Sequence, residues 1–357
     1  MNTRVLPAAR TLAPGRRKRN GHLRHLRRLP ASPGQAALQA RSTRPWWRWL
    51  KGALTLVFFA VVAAMLFKYA RNVNWREVWA AMRAYPWPVL MAAAVLAAGS
   101  HLVYSTYDLL GRHYTQHTLR VATVMKVTFI SYAFNLNLGS LVGGIAFRYR
   151  LYSRLGLSNG QVTRILGLSM LTNWLGYFVL AGLVFTFWPL HLPPSVNFGE
   201  ASVPTLGLCL LAAAAAYLVV CGVSRRKVLR VRGTELTLPS LRVALLQVAM
   251  SCANWLLIAG VVYLLLPQQV GFSDVLSVLL IAAVAGVITH VPAGLGVLEA
   301  VFVALLSTKV PEGQLLAALL TYRALYYLVP FAIALVLFLV TETRRPLAPS
   351  PSGRGRG

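Results

Sequence analysis

Glu299 and Arg323 are the residues hardest to explain as filler, because each stands inside an otherwise apolar run. A carboxylate in a membrane segment costs about 2.5–3.5 kcal/mol on insertion scales, so it marks a pathway or a buried partner. Glu299 follows the break Val291-Pro292-Ala293-Gly294-Leu295-Gly296 and falls in the first turn of the helix beyond it, where the helix dipole favours negative charge. Arg323 lies ten residues into the last apolar run, roughly 15 Å deep at about 1.5 Å per residue. The two are predicted to pair. Either Arg323 engages a lipid phosphate that Glu299 poises or releases, or the pair is permanent and locks the break in place.

Other polar residues carry weaker versions of the same choice. Arg148 has the fork geometry that suits phosphate and would receive a headgroup; the alternative is ordinary charge anchoring, the preferred reading for Arg150, Arg154 and Arg164. Asn135 and Asn137 either line the pathway or satisfy a broken backbone. Asn173 and Arg323 each stand 29 residues after a break glycine, Gly144 and Gly294. His290 either titrates in a proton-coupled cycle or serves as a hydrogen-bonded structural residue. Asp108 is expected to pair with Arg112 at the helix spacing of four. Cys209, Cys221 and Cys252 lack metal spacing and read as small packing residues. Gly294-Leu295-Gly296 lacks the third glycine and the strand of a dinucleotide fingerprint. With no catalytic triad, metal cluster or Walker loop in the sequence, neither enzymatic chemistry nor a metal or other cofactor is expected.

The elements that must position these residues are apolar helices. The chain has 357 residues, 57% hydrophobic and 12% charged, about half the charged share of a soluble domain. It reads as a polytopic membrane protein. The 36 Lys and Arg against 8 Asp and Glu give a net charge of +28, which would suggest nucleic acid were it spread over a surface. Instead 13 of the basic residues precede Gly52, with no acid among them. Residues 1–49 are therefore expected to be a disordered basic tail whose partner is anionic lipid, each charge contributing about 1 kcal/mol. No nucleic acid is expected. Trp46, Trp47 and Trp49 sit where an interfacial belt would begin.

Apolar runs occupy 52–67, 87–110, 121–147, 160–188, 202–223, 240–266, 273–290, 291–308 and 313–340, with an amphipathic interfacial segment at 69–86. Two places resist a plain span. NLNLGSLVGG at 135–144 holds Gly139, Gly143 and Gly144, and VPAGLGVLE at 291–299 holds Pro292, Gly294 and Gly296; neither is a helix interior that lipid could face. If 121–157 dips into the membrane and returns, Arg148, Arg150, Arg154, Arg164 and the basic loop Arg225–Arg242 all fall on one side with the basic tail. The fold expected is all-α, with about six full spans plus two re-entrant hairpins entering from opposite sides, against simple hydropathy's eight transmembrane segments. The hairpins fall in inverted repeats at about 50–188 and 202–341. A basic tail at 342–357 follows, and both termini are cytoplasmic.

The segments NLNLGSLVGGIAFRYRLYSRLGLS at 135–158, NWLGY at 173–177 and HVPAGLGVLEAVFVALL at 290–306 together resemble the YbhN-like bacterial inner-membrane proteins, relatives of the transmembrane region of lysylphosphatidylglycerol synthase. The resemblance spans roughly residues 50 to 340. It implies an inner-membrane location and the movement of lipids or lipid-linked substrates between leaflets. Where many members have Pro-Gly in the first hairpin, this chain has Asn137-Leu138-Gly139. Only about 17 residues follow the last run, so the aminoacyl-transfer chemistry of the synthase is not expected. A scaffold for lipid-synthesis enzymes and an enzyme acting on a lipid headgroup remain the alternatives.

Overall fold

The computed structural model describes residues 75–188, 202–224, 228–231, 234–237, 239–289, 291 and 294–343. The expected tail at 1–49, the expected first span at 52–67, His290, Pro292 and residues 344–357 lie outside them. Among the described residues, apart from one antiparallel ribbon, β1 (Val228–Val231) with β2 (Thr234–Thr237), the regular structure is helical. A short α1 (Trp75–Arg83) buries Val78 and leaves Trp75 and Trp79 exposed, as a helix lying in an interface does. Next comes α2 (Trp87–Ser105), whose Pro88 sits in the first turn, where its missing N–H costs no hydrogen bond. It runs on into α3 (Tyr107–Thr115), and Gln116 in a left-handed conformation ends it.

The first glycine-rich segment is a hairpin. Its outgoing arm α4 (Val121–Leu138) stops at Gly139, whose φ of 83° favours glycine, and a π-helical segment, Ser140–Ala146, leads into the returning α5 (Phe147–Arg154). The arms can lie this close because a Cβ on Gly143 would overlap the backbone of Phe134 and Asn135. The long α6 (Asn159–Phe187) follows, opened by a capping box between Ser158 and Gln161. Beyond it are α7 (Ser202–Val223), the ribbon and α8 (Leu241–Leu265). A second hairpin is built from α9 (Phe272–Thr289) and the shorter α10 (Val297–Leu306). The last crossing is α11 (Glu312–Arg323), a π-helical turn at Ala324–Leu328, and α12 (Val329–Thr343).

Six stretches among the described residues are long and apolar enough to cross a membrane: 87–115, 159–187, 202–223, 241–265, 272–289 and 312–342. Five are expected full spans, and the sixth is the outgoing arm of the second hairpin.

Contacts fix the directions. Tyr85 bonds the carbonyl of Leu265, Ser100 bonds Asn254, and Gly99 faces Leu257, so α2 and α8 run antiparallel. Thr172 meets Gln247 and Gly176 meets Ser251, so α6 and α8 run parallel. Asn137 meets Tyr327 and Phe134 meets Phe331, so α4 and α12 are antiparallel. The mouth of the first hairpin therefore lies with the end of α12, where Arg150 and Arg154 reach Glu342. The mouth of the second lies at the other end of the bundle, where Lys309 reaches Asp274 at 2.6 Å. The two hairpins open toward opposite ends. Large apolar side chains left exposed on α7 and α12, including Leu206, Leu208, Val219, Ile333, Val336 and Leu339, are what a lipid-facing surface requires.

Candidate functional site

The second break places its charge as the sequence suggests. Gly294 and Gly296 take φ of 55° and 76° and turn the chain, α10 begins at Val297, and Glu299 sits in its first turn. Arg323 closes α11 and meets it. The guanidinium donates from Nε to Oε1 and from Nη2 to Oε2 of Glu299, the latter at 3.0 Å, and Nη2 also donates to the carbonyl of Gly294 at 2.9 Å. It lies 5.2 Å from the ring centroid of Tyr327. Glu299 is 8% exposed and Arg323 9%. A two-pronged, charge-assisted pair in so closed a setting holds geometry far better than a surface pair. The expected pairing is present, and it grips the backbone of the break as well as the acid.

The next turn belongs to the first hairpin. In the π-helical stretch Ala324–Leu328, the N–H of Val329 reaches the carbonyl of Ala324, five residues back. Such insertions are frequent at functional sites. Asn137, at the tip of the first hairpin, donates to the carbonyl of Tyr327 at 3.3 Å and to that of Ala133 at 2.9 Å. Tyr132 on the same hairpin shares a 2.9 Å hydrogen bond with the hydroxyl of Tyr326. Tyr326 shares another with Ser100 at 2.7 Å, and Ser100 donates to Asn254 at 2.7 Å. Residues 323–327 of the last crossing are thus held by both tips, one from each end of the bundle.

Asn137 donates to one carbonyl of the π turn, that of Tyr327, and back to Ala133 within its own helix. Asn135 accepts the N–H of Gly139 through its carbonyl and lays its side chain against Gly144, where a Cβ would be 2.8 Å from Oδ1. Asn173 serves a helix contact, its carbonyl accepting from Ser251 at 2.9 Å and Trp255 at 3.3 Å.

One expectation is corrected. Asp108 does not pair with Arg112, whose Nε donates to the carbonyl of Leu119 at 2.9 Å. Asp108 is fully buried and accepts from Arg148 Nε at 3.0 Å and from the Tyr152 hydroxyl at 2.9 Å. The spacing of four made Arg112 the local partner, but the tertiary fold brings Arg148, 40 residues on, to the buried face. Arg148 is 3% exposed, and Nη2 also reaches Ser169 at 3.4 Å. Beside this pair, burial and the nearby Arg112 hold His117 below the usual histidine range.

A polar seam that sequence reading missed joins the two ion pairs. Arg148 lies 5.8 Å from the ring centroid of Tyr104, which stacks on Tyr132 at 3.6 Å; Tyr132 bonds Tyr326, which adjoins Tyr327 beneath Arg323. His101 packs against Tyr132 and Tyr326 at 5.2 and 4.7 Å. Among the described residues, His101 Nε2, Asn254 Nδ2, the Tyr107 hydroxyl, Ser131 Oγ and Asp108 Oδ1 are buried without a hydrogen-bond partner. The readable signal was the spacing of Ser100, Tyr104 and Tyr107/Asp108, which share one face of a helical run.

Residues 48–334 match the family described as the lysylphosphatidylglycerol synthase transmembrane region. The chain belongs to this family. Its similarity to inner membrane protein YbhN of Escherichia coli K12 is 46% identity over 303 residues, 85% of this chain and 95% of that protein. An uncharacterised Synechocystis protein is 31% identical over 278 residues, covering 76% of this chain and 86% of its own length. Phosphatidylglycerol lysyltransferase of Staphylococcus haemolyticus is 25% identical over 296 residues, 81% of this chain but 34% of that protein. With its apolar crossings, this member of the family is a multi-pass inner-membrane protein.

Proposed function

We propose that the protein translocates a lipid or lipid-linked substrate between leaflets and does so without aminoacyl transfer. The observation that carries this reading is the convergence of two opposed hairpins on one turn, residues 323–327, with the Glu299–Arg323 pair buried at the meeting point. Broken helices meeting between inverted halves are a recurrent transporter design, because unwound backbone is tolerated where protein or water satisfies it. Arg323 is the group suited to an anionic headgroup, and Glu299 is the anion that a phosphate would displace. Arg148, held by Asp108, supports the first hairpin. The polar seam between the pairs offers hydrogen-bonding groups along the path of a headgroup. The lysyltransferase relative supports a lipid as cargo. Both termini are placed in the cytoplasm on the positive-inside rule, and the basic tail is assigned to anionic lipid headgroups.

The test is reconstitution into liposomes carrying a fluorescent phospholipid, with a quencher confined to the outer medium. Expected is quenching beyond the outer-leaflet share, lost in Glu299→Gln. Quenching equal to protein-free liposomes overturns the reading, and a chemically altered lipid on chromatography replaces it with an enzyme.

A further inference from the structure

The turn that both hairpins hold is the one place in the last crossing where helical register is already irregular. A π turn contains one residue more than the α turn it replaces. Converting Ala324–Leu328 to α-helix would rotate α12 by about 100° and slide it about 1.5 Å relative to α11. The two hairpins grip opposite sides of that irregularity. Upstream, Arg323 is held by Glu299 and the carbonyl of Gly294. Within the turn, Tyr326 is held by Tyr132 and the Tyr327 carbonyl by Asn137, and downstream of it Phe331 packs edge-on against Phe134 of the same hairpin. Neither grip can survive a register change while the other stays in place.

We propose that Asn137 and Tyr132 on one side and Glu299 on the other are positioning residues that couple the two hairpins through the π turn, so that releasing either tip loosens the other. The coupling deepens the translocase reading and rests on it for its purpose, since opposed gates that move independently would open a leak. It also explains why a weak 3.3 Å side-chain bond from Asn137 falls on a carbonyl of the inserted turn, while the rest of the first hairpin is held at its base by Asp108 and Glu342.

The experiment is amide hydrogen exchange on the full chain in lipid nanodiscs, a readout that involves no transport. In Asn137→Ala, exchange at 294–300 in the second hairpin should rise about fivefold, the change that loss of one ordinary hydrogen bond produces. In Glu299→Gln, exchange at 135–144 in the first hairpin should rise by at least as much. The packed α6 and α8 should stay unchanged in both. Tyr132→Phe, which removes only a hydroxyl, should reproduce the first result with the fold intact. A rise confined to the mutated hairpin, or shared by every helix in all three variants, overturns the coupling. Failure of the liposome assay would leave this result standing, and the reverse also holds.

Discussion

The two hairpins solve the same problem with opposite charges in different places. The first carries a cation on its returning arm, Arg148, nine residues beyond the turn at Gly139, and gives it to Asp108 on the preceding crossing. The second carries an anion, Glu299, three residues beyond Gly296, and gives it to Arg323 on the following crossing. The side chains of the first pair are 3% and 0% exposed, those of the second 11% and 11%. Their glycines differ as well. Gly143 is needed because the opposing backbone leaves no room for a Cβ, whereas Gly294 has open space around it and is needed for its φ of 55°. The first hairpin is therefore locked at its base and packed along its length, and the second is secured at its tip. A pair at the base holds an element in place; a pair at the tip can be exchanged for a ligand. This difference is why Glu299 and Arg323, and not Asp108 and Arg148, are assigned to the cargo.

Substitutions can break that contrast in order of size. Asp108→Asn leaves Arg148 charged and buried without its acid, a situation that costs about 3–5 kcal/mol. It should cut membrane abundance and the melting temperature severely, as read by fluorescence-detected chromatography after heating. Glu299→Gln should cost less, about 1–3 kcal/mol, because Arg323 keeps the Gly294 carbonyl and the face of Tyr327. Lipid exchange should nevertheless be lost. If Glu299→Gln melts as low as Asp108→Asn, the contrast between base and tip is wrong.

Gly143→Ala sets a methyl into the backbone of Phe134 and Asn135, an overpacking worth about 1–3 kcal/mol. Gly294→Ala meets open space and costs only what its left-handed φ demands of a Cβ, about 1–2 kcal/mol. Melting curves of the two should separate in that order, and equal losses would mean that the first hairpin is less tightly packed than described. Lys309→Ala removes an exposed pair with Asp274 at the mouth of the second hairpin and should change stability by no more than about 1 kcal/mol. A larger drop would show that the second hairpin, too, is secured at its base.

Much of this was legible in one dimension where the cause is local. Positive-φ glycines, an acid directly after a break and an arginine deep in an apolar run are each visible as residues, and the Glu299–Arg323 pair follows from them. Charge placement in loops pointed to the first hairpin because the positive-inside rule reads position along the chain. The pairing of Asp108 was misread for the complementary reason. Helix spacing proposes the neighbour at four residues, and nothing in the order of residues shows that α5 folds back to bury Arg148 beside it.

The amino-acid sequence alone determined that this protein lives in a membrane, where its helices run, where they break and which charges are out of place. Those features arise from the cost of polar groups in hydrocarbon and from backbone geometry, and both act residue by residue. The tertiary structure alone decided that both tips meet on residues 323–327, that a tyrosine seam links the ion pairs, and which acid belongs to which arginine. Each of these depends on bringing together residues 24 to 226 positions apart, and only the packed fold specifies such distances.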